Sequence, residues 1–297
     1  MKVSYLIGLY NKESYIVDCV DSILNEASAE LEIEVCVVDD GSTDDSLQIV
    51  KNNYLNNNNV KIFSLGVNKG KNSAYNKAFE ICSGDYICIF GADDLVVSGR
   101  TRKMLDSIIE RKIDIAIYGG LISKNQDLSV ELNRIILEKP SLYEISMQNS
   151  LAGGCCMIPR NLCNRIFPIP SNLKFEDWWV AYKLVLENKV LIINDYVTFY
   201  RIGDNNEIGF NTKNLFSLVG KDYARHIEYI EEFKRISDNI FLDKSLDLRK
   251  AFFGEPVNKL IYLKPFDKFS LKIILFYLFG SKTVYKILGS LNKILKK

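Results

Sequence analysis

The 297-residue sequence holds a single histidine, His226, and its seven cysteines include no CxxC pair. Few imidazoles and no paired thiols argue against a zinc site. An odd cysteine count, spread over candidate strands and helices (Cys36, Cys82, Cys88) and loops (Cys155, Cys156), also argues against a disulfide framework, and the thiols read as reduced side chains of a cytosolic protein. An excess of one charge is missing too: 38 basic residues face 37 acidic ones, whereas a general nucleic-acid binder carries a basic surplus. No apolar run approaches the ~20 residues that span a bilayer. The longest candidate, Ile273 to Phe279, is far shorter, and the opening MKVSYLIGLYNKE breaks at Asn11, Lys12 and Glu13, unlike a secretion signal. No internal repeat is visible.

What is present begins with alternation. Val3 to Leu9, Glu34 to Val38, Val60 to Leu65, Tyr86 to Phe90 and Ile113 to Tyr118 are β-branched or aromatic runs. Between them lie stretches of helical spacing, such as Tyr15 to Leu24, the segment running to about Tyr54, and Ser98 to Arg111. Strands separated by helices predict βαβ units and a parallel sheet, whose ligands collect at the carboxyl ends of the strands. Two acidic pairs, Asp39-Asp40 and Asp93-Asp94, fall at those ends. Adjacent ionised carboxylates repel, so YICIFGADDL calls for a positive partner: an oxygen-ligated Mg²⁺ or Mn²⁺ completed by substrate phosphates, or else a role capping the helix that follows. In VVDDGSTDDS, Ser42, Thr43 and Asp44 are candidate N-caps. Two short strands, Val190 to Ile193 and Tyr196 to Arg201, are expected to join the sheet, and the chain reads as helical from about Lys213.

VVDDGSTDDS resembles the nucleotide-binding turn of the family 2 glycosyltransferases. So do SYLIGLYNKESYIVDCVDSIL, NKGKNSAYNKAFEICSGDYICIFGADD and FEDWW, in the family's order, over roughly residues 3 to 201. The resemblance implies a GT-A fold: α/β, Rossmann-like, with a mostly parallel central sheet, residues 1–212 as the transferase domain and 213–297 as a helical extension. It implies an inverting transfer from a nucleotide-diphosphate sugar, UDP-linked by expectation, to a glycan or lipid-linked saccharide in bacterial surface-polysaccharide synthesis. Leu9, Tyr10, Asn11 and Glu13 would then line the base pocket, and Asp39 and Asp40 would accept hydrogen bonds from uracil or ribose. Asn68, Lys69, Lys71 and Asn76 match a phosphate-facing stretch in which Tyr75 replaces a common arginine, so that either Lys69 or Lys71 supplies the cation or none is needed. Ala92 and Asp93 complete the nucleotide contacts, and Asp93 and Asp94 hold Mn²⁺ or Mg²⁺, although Gly91 stands where relatives carry a further aspartate.

In the same reading Asp177 is the base that takes the acceptor's proton, with Glu176 second or as an acceptor contact. Gly153 and Gly154 allow close approach of a sugar, Trp178 and Trp179 offer it an apolar face, and Arg201 reaches toward the diphosphate. A non-catalytic relative that binds nucleotide or glycan as a scaffold is the alternative. A receiver-type signalling module is disfavoured, because its acid pair would follow the first strand.

The balanced charge hides one asymmetry: residues 264–297 carry eight lysines against Asp267, a net +7, leaving roughly −6 elsewhere. Val284, Ile287, Leu288, Leu291, Ile294 and Leu295 share a helical face, with Lys282, Lys286, Lys293, Lys296 and Lys297 around it. A basic amphipathic helix of this kind suits the anionic cytoplasmic face of a membrane, or alternatively packs on its own domain or on a second copy in a homodimer.

Overall fold

Strand β1 (Lys2–Leu9) is apolar at nearly every position because both of its faces are covered. The structure, a computed structural model, describes residues 1–111, 114–203, 215–256 and 267–286. After β1 come α1 (Ile16–Leu24), β2 (Glu32–Asp39), α2 (Ser46–Tyr54), β3 (Val60–Ser64), α3 (Lys71–Ile81) and β4 (Tyr86–Gly91). Helix α1 buries Ile16, Cys19, Val20 and Ile23, the stripe that its periodicity predicts. β1 pairs in parallel with β2 and β4, and β2 with β3; the register sets Leu9 beside Asp39, Asp39 beside Ser64, and Gly8 beside Gly91. Both acidic pairs therefore leave the sheet at one edge.

The second part of the sheet departs from the parallel expectation. It contains β5 (Leu95–Val96), then α4 (Arg100–Ile109), β6 (Ala116–Lys124), β7 (Glu131–Ile135), α5 (Leu142–Met147) and a 3-10 turn at Gly153–Cys155. β8 (Cys156–Pro159), α6 (Arg160–Ile166), α7 (Asp177–Leu186) and β9 (Val190–Arg201) follow. Among the described residues nine strands form the sheet, in the order β3-β2-β1-β4-β8-β6-β9-β5, with β7 on β6. β8 is antiparallel to β4 and β6, and β5 to β9. The two short strands expected near residues 190–201 are one strand, because shifts of register against Tyr118 to Leu121 absorb the irregularity without breaking it. All seven cysteines are free and buried.

The chain divides into two compact units, Met1–Leu142 with Asn149–Asn206, and Tyr143–Gln148 with Glu207–Lys297. The second contains α8 (Leu215–Ile236), α9 (Phe241–Phe252) and α10 (Lys268–Phe279). Its core gathers Met147, Leu248, Phe252, Phe269, Ile273, Phe276 and Val284. Val284 is therefore core and not part of a free amphipathic face; the rest of that expected stripe, from residue 287 on, lies outside the described residues. His226 is packed against Arg249, 3.2 Å from its guanidinium.

Near the start of β2, Glu34 is 2% exposed and accepts hydrogen bonds from Ser4 Oγ at 2.5 Å, Ser83 N at 2.7 Å and Ser83 Oγ at 2.8 Å. Lys61 Nζ pairs with it at 2.8 Å. Burial alone would raise the Glu34 pKa, but Lys61, Ser4 and Ser83 outweigh it and hold the carboxyl below the usual range. A depressed folded-state pKa contributes stability above the unfolded carboxyl's pKa and loses it as pH falls. Glu34→Gln is therefore expected to destabilise the fold by about 3 kcal/mol at pH 7, with the gap to wild type narrowing below about pH 4, as read by urea unfolding.

Candidate active site

The turn after β2 is tied to the turn after β1. Asn11, at φ +51°, donates its backbone N–H to Ser42 Oγ at 3.1 Å and accepts the Thr43 N–H at 2.8 Å. Lys12 N donates to Ser46 Oγ at 2.7 Å, Glu13 N to Asp44 Oδ2 at 3.2 Å, and Asp45 N to Glu13 Oε2 at 3.0 Å. Asn11 and Glu13 thus fasten one loop to the other. Ser42 and Thr43, expected as caps of α2, are likewise used between loops, while Asp44 Oδ1 accepts from Ser46 N at the helix start. Leu9 points into the core and offers only its carbonyl, which accepts from Asp40 N. Tyr10 is the open member of the group, 43% exposed.

Asp39 and Asp40 are both buried. Asp39 accepts from Ser42 N at 3.1 Å and Ser64 Oγ at 2.9 Å; Asp40 accepts from Lys69 N at 2.7 Å. Lys69 contributes its backbone, and its exposed ammonium is not on Asp40. Asn68 closes its own turn by accepting from Gly70 N. Burial, the largest influence, raises the Asp40 pKa; the Lys69 and Gly70 N–H groups work against it.

At Asp93-Asp94 the positive partner that the sequence calls for is in part supplied by the chain itself. Lys12 Nζ lies 2.6 Å from Asp93 Oδ2 across 81 residues of sequence. The β5–β9 register sets Leu95 against Phe199. This pairing brings Arg201 alongside, with its N–H on Asp94 Oδ1 at 3.1 Å and its Nε on the Asp93 carbonyl at 2.8 Å. The Arg201 guanidinium also donates to the Gln126 carbonyl and stacks 4.6 Å over Tyr15. The expectation that it reaches out to a diphosphate is therefore corrected: it is 5% exposed and braces the acid pair from behind. The capping alternative for the pair is corrected as well, because α4 is capped by Glu26, which accepts from Gly99 N and Thr101 N, each at 2.8 Å. Gly91 leaves room for this arrangement; a Cβ there would come within 2.8 Å of Asp94 Oδ2.

Helix α3 delivers the second acidic motif. Asn72 donates to the carbonyls of Pro170 at 3.2 Å and Leu173 at 2.6 Å. One turn on, Asn76 donates to Ile169 O at 2.8 Å and accepts Ile169 N at 2.7 Å. Asn76, expected beside the nucleotide, is committed to this backbone clamp. Lys71, expected to face a phosphate, pairs with Glu176 Oε1 at 3.1 Å. Gly153 packs against the motif, its Cβ position 3.2 Å from Glu176 Oε1 and 3.3 Å from the Asp177 Cβ; that of Gly154 is 3.7 Å from Asp94 Oδ2. The missing side chain of Gly153 lets the turn sit close against the second acidic motif, while Gly154 leaves ordinary contact distance to the first. Arg100, fully buried and without a motif to mark it in the sequence, holds the turn by donating to Gly154 O at 2.7 Å and Cys156 O at 3.0 Å.

Trp178 and Trp179 do not form a sugar platform. They are 2% and 5% exposed, and Trp179 Nε1 donates to Ile166 O at 2.9 Å. Helix α7 is apolar almost all round, and such helices are buried on every side. That signal was present in DWWVAYKLVL.

The electrostatics fit an oxygen-ligated divalent ion. Burial first, and Asp93 second, push the Asp94 carboxyl up to about 7, so the pair is short of positive charge even with Lys12 nearby. Among the described residues no three or more His, Cys, Asp or Glu side chains form a metal cage. Such an ion would take the remaining oxygens from a substrate. On the other side of the glycine turn, burial and then Glu176 raise Asp177 to about 6. Glu176 is 4% exposed, and its Oε2 is buried without a hydrogen-bond partner.

A family model described as glycosyl transferase family 2 matches residues 4–166. An uncharacterized glycosyltransferase of Haemophilus influenzae is 32% identical over 207 residues, 68% of this chain and 79% of that protein. The chondroitin synthase of Escherichia coli is 43% identical over 104 residues, 35% of this chain but only 15% of its own length. The crystal structure of Staphylococcus aureus TarS 1-349 in complex with UDP-GlcNAc superposes with a TM-score of 0.61 at 20% identity, over 95% of this chain and 82% of that one, which shows a shared fold.

Proposed function

The chain belongs to glycosyl transferase family 2, and from that premise we propose that it moves a sugar, with inversion, from a UDP-linked donor to a hydroxyl of a growing surface glycan or lipid-linked saccharide. The observation that carries the reading is the Gly153-Gly154 turn, with Asp94 on one side and Glu176-Asp177 on the other. A donor diphosphate at the first motif and an acceptor hydroxyl at the second are then divided by a backbone with no side chains in the way.

Tyr10 stacks on the base, and the remaining lone pairs of Asp39 and Asp40 accept from base and ribose. Asp93 and Asp94 would hold Mg²⁺ or Mn²⁺; when bound, the ion supplies positive charge to the departing diphosphate. Arg201 holds the Asp94 carboxylate through its backbone N–H and the Asp93 backbone through its guanidinium. Asp177 accepts the acceptor's proton as the hydroxyl attacks the anomeric carbon, since this carboxylate is less buried than Glu176 and the ion pair of Lys71 is with Glu176. Glu176, fixed by Lys71, is the acceptor-binding partner of Asp177. The protein works peripherally at the inner face of the cell membrane, where lipid-linked acceptors are found.

The reading is tested by offering a panel of nucleotide sugars with Mn²⁺ and following released nucleotide diphosphate, then determining the product's anomeric configuration by NMR. Release from a UDP-sugar with an inverted product supports it, whereas retention, or no release from any donor, refutes it. A base with a pKa near 6 must be ionised to act. kcat/KM is therefore expected to be level above about pH 7 and to fall tenfold per unit below about pH 6, while UDP affinity measured by calorimetry changes less.

A further inference from the structure

Helix α10 (Lys268–Phe279) is apolar on two sides. Its inner side, with Phe269, Ile273 and Phe276, is buried in the core of its unit. Its outer side leaves Leu271, Tyr277, Leu278 and Phe279 exposed at 46, 62, 62 and 59%. Leu271 and Leu278, spaced i, i+7, lie on one side of the helix with the partly buried Ile274 at i+3 between them, whereas Leu275 packs against the core. Folding needs only the inner face. An outward stripe of large apolar residues is a surface waiting for a non-aqueous partner.

Charge identifies that partner. Lys268 and Lys272 lie on the same helix, and Lys282 and Lys286 are exposed just beyond it. Asp267, the only acid among residues 264–297, is turned away from the stripe, accepting from Phe269 N and Ser270 N and pairing with Lys244 and Tyr143. A second copy docking on the same face would set lysines against lysines. Among the described residues no helix is long and apolar enough to cross a membrane, and twelve residues extend only about 18 Å, so α10 lies along a surface.

We propose that the outer face of α10 docks in the plane of an anionic phospholipid surface. Leu271, Leu278 and Phe279 enter the boundary between headgroups and acyl chains, Tyr277 stays at the headgroup level, and the lysines face lipid phosphates. The inference rests on the peripheral location proposed above and not on the transfer chemistry. It also moves the contact from the expected tail face, whose Val284 is core, to α10.

The test is co-sedimentation of the full chain with phosphatidylcholine vesicles, with and without phosphatidylglycerol, in low and high salt. Wild type is expected to bind the anionic vesicles about tenfold better than the neutral ones and to lose that advantage in high salt. The double variant Leu271→Asp/Leu278→Asp is expected to lose binding about tenfold with an unchanged thermal midpoint, since both side chains are exposed. Lys268→Gln/Lys272→Gln should lower only the anionic preference, and it keeps the test decisive if the aspartate variant folds poorly. If wild type binds and both variants bind equally well, this face is the wrong one while the peripheral reading stands; if wild type binds neither vesicle, both fall. Equal binding to neutral vesicles, or a dimer that the aspartate variant dissociates, overturns the proposal. Nucleotide release without vesicles reports separately on the transfer reading.

Discussion

Asp177→Asn is expected to lower the rate of sugar transfer about 10³-fold while UDP affinity stays within a factor of two or three of wild type, because a positioned base contributes roughly 10²–10⁴ to such a step. The substitution preserves shape. The side-chain oxygen that accepts from Trp178 N at 2.7 Å has an amide counterpart, so the start of α7 is retained. What disappears is the ability to take a proton. Measuring UDP binding by calorimetry and transfer by product formation separates the two roles. Transfer within tenfold of wild type would move the base elsewhere, and Glu176→Gln is the informative comparison. That change removes the negative charge that pairs with Lys71 at 3.1 Å and is expected to raise the acceptor KM more than it lowers kcat.

The second large effect is expected at Asp94. Its carboxyl is 6% exposed, beside Asp93, and raised to about 7. A group whose pKa is raised on folding opposes folding once it ionises, so its cost is absent near pH 4 and fully present above pH 7. Asp94→Asn keeps an oxygen for the Arg201 N–H and removes the buried repulsion. The variant should therefore be more stable than wild type by about 1–2 kcal/mol at pH 8, with no gain at pH 4. Its Mn²⁺ affinity should fall and its release of UDP should drop more than a hundredfold. A gain in stability with a loss of function marks a residue kept for chemistry. Lower stability together with unchanged Mn²⁺ affinity would show that the pair is structural.

Much of the first half could be read along the chain. β1 through β4 and α1 through α3 stand close to their expected positions, since each is specified by apolar periodicity and by the turns that bound it. The second half was less legible. β8 has four residues and β5 has two, and strands that short form because neighbours offer free ladder positions, not because of their own pattern. The acidic motifs were recognisable as a set, because their order and spacing resemble those of the family, whereas an acidic pair after a strand is a weak signal alone. Their partners were not: Lys12 reads as a loop lysine, Arg100 as an ordinary helix residue, and Lys71 as a phosphate ligand rather than the partner of Glu176.

The order of residues alone settled the alternation of strand and helix, the edge at which Asp39-Asp40 and Asp93-Asp94 emerge, and the family to which the chain belongs, since these follow from local periodicity and from motifs continuous in sequence. Only the tertiary structure decided which cation meets which carboxylate, that Arg201 braces the acids instead of reaching outward, that both tryptophans are buried, and that the outward apolar face lies on α10. The reason is that an ion pair, a brace or a buried face is fixed by sheet order and helix packing. These bring together groups as far apart as Asp94 and Arg201, 107 positions along the chain, and neither residue carries a local mark of the other.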